Sequence, residues 1–259
     1  MANQVFIVGH KNPDNDSIAA AVSYAYLKNA LEAKKAEPEA EYVACCLGPL
    51  PQESATILEQ VGLPAPKLIE KVGEGDKVIL VDHNESTQMV DGIADAEIVE
   101  VVDHHRIAGD VVTGNPILYL NIPVGSTATI VTKLYEQLGV EVTPAIATLL
   151  LSAIMTDTVI TKSPTCTDYD LVQAEKLGAI IGKKPTEFGL EVFKMRGGDN
   201  DLSVEELCTH DSKEFKKGDD VYMVAQHETV TLDVAMEREA EYREFLRQKV
   251  AENGYKFAL

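Results

Sequence analysis

Residues 4–18 read Gln-Val-Phe-Ile-Val-Gly-His-Lys-Asn-Pro-Asp-Asn-Asp-Ser-Ile and give the clearest indication of how this chain folds. Gln4–Val8 is a short apolar run rich in β-branched residues, which predicts a buried strand. An alanine-rich stretch from Ser17 to about Glu32 predicts the helix that follows, with Asp16 or Ser17 as its cap. The turn between strand and helix carries three side chains that can bind a metal ion, which are His10, Asp14 and Asp16.

The same order of apolar strand and polar strand end occurs twice more. Lys77–Val81 is followed by Asp82-His83-Asn84-Glu85, and Ile98–Val102 is followed by Asp103-His104-His105. Strands alternating with helices predict an α/β fold with a mostly parallel sheet flanked by helices and connected by right-handed crossovers. Because ligands bind beyond the carboxyl ends of such strands, we expect the three clusters to converge on one crevice.

Other segments of the first part of the chain follow the same alternation. Further strands are predicted at Tyr42–Leu47 and Ile117–Asn121. Further helices are predicted at Gln52–Val61, from Gly125-Ser126-Thr127 to about Leu138, and at Ala145–Met155, Asp168–Ile181 and Pro185–Lys194. We expect residues 1–194 to form one domain that binds the metal.

The rest of the chain predicts a smaller, incomplete α/β domain at residues 203–259. Residues 195–202 are polar, contain two glycines and have no periodicity, which predicts a linker. The expected elements of the second domain are strands at Asp211–Phe215, Val221–Ala225 and Tyr255–Leu259 and a charged helix at about Ala235–Glu252. His210 and His227 are expected at the surface.

Composition excludes several classes of function. The formal net charge of −19 argues against nucleic acid as a partner, because binding a phosphate backbone requires a basic surface. No apolar run reaches the length of a membrane span, so we expect no membrane association and a cytoplasmic protein. The four cysteines agree with this, since Cys45 and Cys46 are adjacent and no Cys-x-x-Cys spacing occurs.

The residue types at the strand ends indicate a centre for two metal ions. Asp14 and Asp16 can point to different ions, and Asp82 can bridge them with its two oxygens. Asp157 closes an apolar helix, where an ionised carboxylate needs a partner. These four carboxylates carry a charge of −4, which two divalent ions neutralise.

Two ions about 3.5–4 Å apart can hold a bridging water as hydroxide and stabilise an in-line phosphoryl displacement. Imidazoles among oxygen ligands favour Mn²⁺, Co²⁺, Fe²⁺ or Zn²⁺ over Mg²⁺, which can still arrive with a substrate. Each cluster alone could be a turn or a helix cap. Four of the six histidines fall in the three clusters, and this joint occurrence favours a metal centre. His83 stays open between supporting the ligands and being a solvated turn residue, and Thr167 with Asp170 predicts a capping box.

Four stretches carry a resemblance to a known family, and they are Gly9–Ile18, Val81–Glu85, Val102–His105 and Ser163–Thr167. They resemble the manganese-dependent, family II inorganic pyrophosphatases of the DHH phosphoesterase superfamily, over nearly the whole chain. The resemblance implies a DHH domain followed by a DHHA2-like domain, in a cytosolic homodimer formed through the first domain. It also implies hydrolysis of inorganic pyrophosphate to two phosphates, with a metal-bridged hydroxide as nucleophile.

The resemblance implies a role for each candidate site residue. One of two Mn²⁺ ions would be held by His10, Asp14 and Asp82. The other would be held by Asp16, His104 and Asp157, with Asp82 bridging. Co²⁺ is a possible substitute, and Mg²⁺ would come with the substrate.

The other implied roles concern the substrate. His105 would donate a hydrogen bond or a proton to a phosphate oxygen, and Lys213 of the second domain would bind phosphate. Asp103 would support the site through hydrogen bonds without binding a metal itself.

One departure from the family concerns the C-terminal part. The family's second domain ends with a Ser-Arg-Lys-Lys motif that binds pyrophosphate, and nothing in Asp233–Leu259 matches it. We therefore expect a C-terminally truncated chain. Two alternatives stay open: an exopolyphosphatase of the same superfamily, and a metal-binding dimer with little catalysis because that motif is absent.

Overall fold

The computed structural model describes residues 3–196, 202–210, 212–218, 220–225 and 233–259. The chain divides into two compact units, Met1–Arg196 and Gly197–Leu259. Most of the predicted linker, residues 197–201, lies outside the described residues, as do His227 and the side chain of His210. Among the described residues, no helix is long and apolar enough to cross a membrane.

The first unit is built on a six-stranded parallel sheet with the order β3-β2-β1-β4-β5-β6. Its strands are β1 (Asn3–Lys11), β2 (Ala40–Leu47), β3 (Lys67–Leu68), β4 (Lys77–Val81), β5 (Glu97–Asp103) and β6 (Leu118–Asn121). The predicted α/β class is confirmed. The strand order reverses between β1 and β4, and a crevice at such a point is where open α/β sheets bind ligands.

Six α-helices of the first unit cover this sheet or pack on one another. They are α1 (Asn15–Glu32), α2 (Gln52–Val61), α3 (Thr127–Gln137), α4 (Pro144–Asp157), α5 (Asp168–Ile181) and α6 (Pro185–Met195). The predicted bounds agree to within about two residues, as expected for terminal turns. The two-residue β3 and the 3₁₀ turns at Ser86–Gln88 and Ile93–Asp95 were not predicted, because segments this short have no detectable periodicity.

Helix α1 is buried on nearly all sides, so its sequence is apolar all round rather than amphipathic. The prediction that Asp16 or Ser17 caps it is wrong. Asp14 is the N-cap, and its Oδ1 accepts a hydrogen bond from the backbone N–H of Ser17 at 2.9 Å. Asp16 lies inside the first turn, where its carboxylate is drawn instead to the N-terminus of α3.

The second unit contains a three-stranded sheet with the order β7-β8-β9, in which β7 and β8 are antiparallel and β8 and β9 are parallel. Its described elements are α7 (Val204–His210), β7 (Ser212–Lys217), β8 (Asp220–Ala225), α8 (Asp233–Glu237), α9 (Glu239–Asn253) and β9 (Phe257–Ala258). The single helix predicted at Ala235–Glu252 is wrong, because the helix breaks at Arg238. The Arg238 guanidinium donates to the carbonyl of Leu202 at 2.7 Å, a tertiary contact that no local pattern reveals.

Gly9 allows α1 to begin directly against β1. A Cβ atom at this position would lie 1.9 Å from Ser17 Oγ and 3.0 Å from the Ser17 carbonyl oxygen. The register between β1 and β2 also shifts between Val8 and Lys11, so the strand bends where His10 leaves it. Close packing at Gly9 therefore places the turn that carries His10, Asp14 and Asp16.

We predict that Gly9→Ala lowers the free energy of unfolding by about 1–3 kcal/mol, the usual cost of overpacking a buried site. Urea denaturation in the presence of a chelator measures this without a contribution from metal. Gly114→Ala is the matched control, because a Cβ there meets nothing within 4 Å. Equal unfolding midpoints for the two variants would contradict the prediction.

Candidate metal centre

Six predicted ligands meet at the carboxyl edge of the central strands. His10 is near the end of β1, Asp82 directly follows β4, and His104 directly follows β5. The other three come from the helices, with Asp14 and Asp16 at the start of α1 and Asp157 as the last residue of α4. The sheet and the two helices thus bring together residues that are separated by more than 140 positions in the chain.

The donor atoms form two groups, each compact enough for a metal ion. In the first group, His10 Nε2 lies 3.5 Å from Asp14 Oδ2 and 3.6 Å from Asp82 Oδ2. In the second, His104 Nε2 lies 3.8 Å from Asp157 Oδ2, and Asp16 completes the set with all donor atoms within 4.8 Å. His104 Nε2 is also 3.4 Å from Asp82 Oδ1, so the two oxygens of Asp82 face different groups.

Both histidines turn Nε2 toward these groups. His10 Nδ1 is 2.8 Å from the Lys11 carbonyl oxygen, and His104 Nδ1 is 2.9 Å from that of Val124. A carbonyl oxygen can only accept, so Nδ1 donates in each ring, and in the neutral form of the ring Nε2 then has the lone pair that a metal ion binds. Among the described residues, His104 Nε2 and Asp82 Oδ2 are buried without a hydrogen-bond partner. Buried nitrogen and oxygen atoms left in this way fit a bound cation.

Electrostatics supports the same conclusion. Burial raises the pKa of Asp82 well above its ordinary value, and the neighbouring carboxylates of Asp16 and Asp14 raise it further. Burial likewise raises the pKa of Asp157, assisted by Asp16, Asp14 and Asp82. Carboxylates held this close repel one another unless cations lie between them.

His105 is oriented by the carboxylate of Asp103, whereas His104 is oriented by a backbone carbonyl. Asp103 is fully buried and accepts from His105 Nδ1 at 2.9 Å, from the backbone N–H of His104 at 2.8 Å and from Asn84 Nδ2 at 2.5 Å. Burial opposes ionisation, but these hydrogen bonds outweigh it and lower the pKa of Asp103 to about 2. A charged Asp103 holds the proton on His105 Nδ1 and leaves Nε2 for a ligand.

A third grouping, Asp82 with His104 and His105, is also close enough to hold an ion. His105 Nδ1 lies 3.9 Å from Asp82 Oδ1 but only 2.9 Å from Asp103 Oδ1. Because that nitrogen donates to Asp103, His105 cannot bind an ion through Nδ1. Its imidazole is half exposed, which suits contact with a substrate.

A cavity of about 240 Å³ adjoins the centre, lined by His10, Asp82, His83, Asn84, Glu85, Gln88, His105 and Arg106. His83 is buried, which excludes its interpretation as a solvated turn residue. Burial lowers the pKa of His83 to about 4, so the ring is neutral at pH 7. Nothing in the sequence indicated that Asn84 supports the site. Its Oδ1 accepts a hydrogen bond from the backbone N–H of Ala108 at 2.8 Å, which holds the loop after β5.

Backbone strain concentrates around the ligands. Asp82 has a φ of 63°, and the three residues after Thr158, Val159, Ile160 and Thr161, have φ values of 47°, 51° and 64°. A left-handed conformation costs roughly 1–2 kcal/mol for each such residue, and β-branched side chains rarely adopt it. The turn is held by hydrogen bonds from Ile160 N to the Met155 carbonyl and from Ser163 N to the Thr158 carbonyl, both 2.8 Å long. It places Asp157 at the end of α4.

Lys213 belongs to the second unit, where it lies on β7 opposite Val224 of β8.

The sequence missed two residues of the first unit, Ser126 and Thr127, which donate hydrogen bonds to Asp16 and Asp82. A Gly-Ser-Thr stretch reads only as a helix start, which it is. The capping box of Thr167 and Asp170 is confirmed.

We predict that Asp157→Asn stabilises the metal-free chain at pH 7. A raised folded-state pKa means that the folded chain holds a proton that the unfolded chain releases above about pH 4. Stability therefore falls as the pH rises from about 4 through the raised pKa, and the amide removes that loss. Each kcal/mol gained in the free energy of unfolding raises Tm by about 2–4 °C in a chain of this size.

The measurement is the Tm of both proteins in EDTA at pH 4.5 and pH 7.5, with the exposed Asp95→Asn as control. We expect the gain at pH 7.5 to shrink toward pH 4.5. A variant that is less stable than the wild type in EDTA at pH 7.5 would show that the charge of Asp157 is not a source of repulsion.

Comparison with known proteins agrees with this geometry. Residues 4–154 match the DHH family, N-terminal domain. The chain is 44% identical over 248 residues to a protein of an Exiguobacterium species named "Probable manganese-dependent inorganic pyrophosphatase", covering 95% of this chain and 78% of that protein. It is 41% identical to the manganese-dependent inorganic pyrophosphatase of Methanothrix thermoacetophila, with 96% and 79% covered.

Two solved structures are similar in fold. One, from Methanococcus jannaschii, is named "putative family II inorganic pyrophosphatase", and it matches with a TM-score of 0.73 and 34% identity over 98% of this chain and 82% of its own. The other, an exopolyphosphatase-related protein from Bacteroides fragilis, has a TM-score of 0.58 at 16% identity, covers 86% and 65%, and shows the fold alone. The chain therefore belongs to the DHH family and, within it, to the manganese-dependent, family II inorganic pyrophosphatases.

Proposed function

We propose that this chain hydrolyses inorganic pyrophosphate to two phosphates with manganese ions bound at the candidate metal centre. The observation that carries the proposal is the pair of donor groups that share Asp82, one oxygen facing each group. The similarity to manganese-dependent inorganic pyrophosphatases along nearly the whole chain supports the choice of substrate and metal.

The proposed ligands follow the two donor groups. One Mn²⁺ would be held by His10, Asp14 and Asp82, and the other by Asp16, His104 and Asp157, with Asp82 within reach of both. Imidazole mixed with carboxylate suits Mn²⁺ or Co²⁺, whereas Mg²⁺ enters with the substrate. Bound divalent ions lower the pKa of bound water and offset the charge on phosphoryl oxygens.

Charge explains why the ions are needed for binding as well as for chemistry. Pyrophosphate is an anion, and the two donor groups together contain four carboxylates, those of Asp14, Asp16, Asp82 and Asp157. Like charges at such distances repel strongly in a partly buried site. The residues present would therefore exclude the substrate in the absence of cations.

His105 and Lys213 are the proposed substrate-binding residues. In the imidazolium form of His105, Nδ1–H donates to Asp103 and Nε2–H can donate a hydrogen bond or a proton to a phosphate oxygen. Lys213 supplies a positive charge from the second unit, on β7. Asp103 orients His105 and contacts neither metal nor substrate.

We further propose a cytoplasmic homodimer formed through the first unit, without nucleic acid or membrane as partners. Strand β6 is an edge of the six-stranded sheet, and an uncovered edge is prone to pairing. Leu118 on this strand is 50% exposed, and Ile107 and Val112 nearby in the chain are 61% and 86% exposed. The four cysteines are free, which fits a reducing compartment.

The dimer is tested by light scattering, for which we expect twice the chain mass of 28.2 kDa. Leu118→Lys should shift the protein toward the single-chain mass, since a charge would have to be buried in the interface. Leu68→Lys is the control, because Leu68 is 62% exposed on β3 at the opposite edge. If only the Leu68 variant dissociated, the interface would lie at the β3 edge, and the prediction of a dimer through β6 would be contradicted.

The catalytic proposal is tested by phosphate release from magnesium pyrophosphate by the full chain loaded with Mn²⁺. We predict that Asp82→Asn abolishes both manganese uptake and activity, because it removes a charge that both groups share. His105→Asn should keep both ions and lower kcat by about 10²–10⁴-fold, the usual contribution of a general acid. Lys213→Gln should raise KM at unchanged manganese content.

Elemental analysis of each variant separates the two effects. Equal or faster phosphate release from tripolyphosphate than from pyrophosphate would instead favour an exopolyphosphatase. Uptake of two Mn²⁺ per chain without any phosphate release would favour a metal-binding protein with little catalysis. Full manganese occupancy in Asp82→Asn would refute the shared ligand.

A further inference from the structure

The N-terminus of α3 surrounds the carboxylate of Asp16. Ser126 Oγ donates to Asp16 Oδ1 at 2.9 Å, the backbone N–H of Thr127 donates to Oδ2 at 2.6 Å, and that of Ala128 donates to Oδ1 at 2.9 Å. All four residues are fully buried. Both oxygens of Asp16 are therefore oriented, at the positive end of a helix.

Thr127 contacts a second proposed ligand with its side chain. Its hydroxyl donates to Asp82 Oδ1 at 2.9 Å, whereas Asp82 Oδ2 has no hydrogen-bond partner in the part of the chain that the structure describes. One residue thus touches a carboxylate that belongs to one donor group and the carboxylate that both groups share. The torsion at the end of an Asp side chain is soft, so such contacts decide where its oxygens point.

This segment is held in place by Asp170, 45 positions away. Asp170 Oδ2 accepts from the backbone N–H of Gly125 at 2.8 Å, and Oδ1 accepts from the Thr129 hydroxyl at 2.6 Å. A Cβ at Gly125 would lie 2.7 Å from Thr158 Cγ2 and 3.0 Å from Asp170 Oδ2. The start of α3 is therefore clamped between α5 and the end of α4.

We propose that Ser126 and Thr127 are positioning residues for manganese, and that Asp170 holds them in the binding arrangement. This inference rests on the proposed function, because it concerns the same ions. The donors offset part of the charge of Asp16 and fix one oxygen of Asp82, so that the ligands are ordered before an ion arrives. Removing contacts of this kind typically lowers metal affinity about 10–100-fold.

A purely structural role must be distinguished from this one. Ser126 is also the N-cap of α3, since its Oγ accepts from the backbone N–H of Ala128 at 3.1 Å. Loss of a cap lowers Tm but does not by itself change the affinity of a folded protein for an ion. The informative quantity is therefore manganese affinity, with Tm in EDTA measured alongside.

The experiment titrates Mn²⁺ into the metal-stripped full chain by isothermal calorimetry and by electron paramagnetic resonance of the free ion. Thr127→Val should weaken at least one binding step about 10–100-fold, and Thr127→Ser should restore affinity to near the wild-type value. Thr132→Val is the matched control, because the Thr132 hydroxyl is buried in the same helix and donates only to the Ala128 carbonyl at 2.7 Å.

Ser126→Ala is the second variant, a smaller change that keeps the backbone donors and should weaken binding in the same direction. It decides the matter if Thr127→Val does not fold. Wild-type affinity in both Thr127→Val and Ser126→Ala, or an equal loss in Thr132→Val, would overturn the inference while the proposed function stands. A wild-type chain that binds no manganese would instead refute the proposed function.

Discussion

The carboxylates of Asp14, Asp16, Asp82 and Asp157 lie together at one edge of a parallel sheet. The rest of the first unit has to hold them in place against their mutual repulsion. Burial and neighbouring charge raise the pKa values of Asp82 and Asp157, so the cluster is unfavourable as a set of bare anions. Cations between the carboxylates turn this repulsion into attraction. The same arrangement that destabilises the metal-free chain is therefore what gives the centre its affinity for divalent ions.

The surrounding structure holds each ligand against that repulsion. Hydrogen bonds to the Lys11 and Val124 carbonyls orient the rings of two of the proposed ligands, His10 and His104. The start of α3 orients Asp16, and a left-handed turn at residues 159–161 ends α4 just after Asp157. Backbone strain of this kind persists only where tertiary contacts outweigh it, which is common at functional sites.

The sequence placed the proposed ligands at one edge of the sheet because their signal is local. His and Asp residues directly after apolar strands fall at one edge of a parallel sheet, whatever the details of packing. The predicted N-cap of α1 was wrong because the cap depends on a contact that is not local. Asp14, Asp16 and Ser17 are all residue types that favour the N-cap position. Asp14 is the N-cap because the carboxylate of Asp16 is engaged by Ser126 at the start of α3, 110 positions later in the chain.

Periodicity and neighbours in the chain were enough to predict the alternation of strands and helices, the donor types at three strand ends and the resemblance to the pyrophosphatase family. Three features could be learned only from the folded chain. They are which oxygen of Asp82 faces which donor group, the hydrogen bond from His105 Nδ1 to Asp103, and the hydrogen bonds from Ser126 and Thr127 to Asp16 and Asp82. The His105–Asp103 bond is local in sequence but depends on side-chain geometry. The other contacts join residues that are far apart in the chain, and the packing of strands and helices sets their geometry.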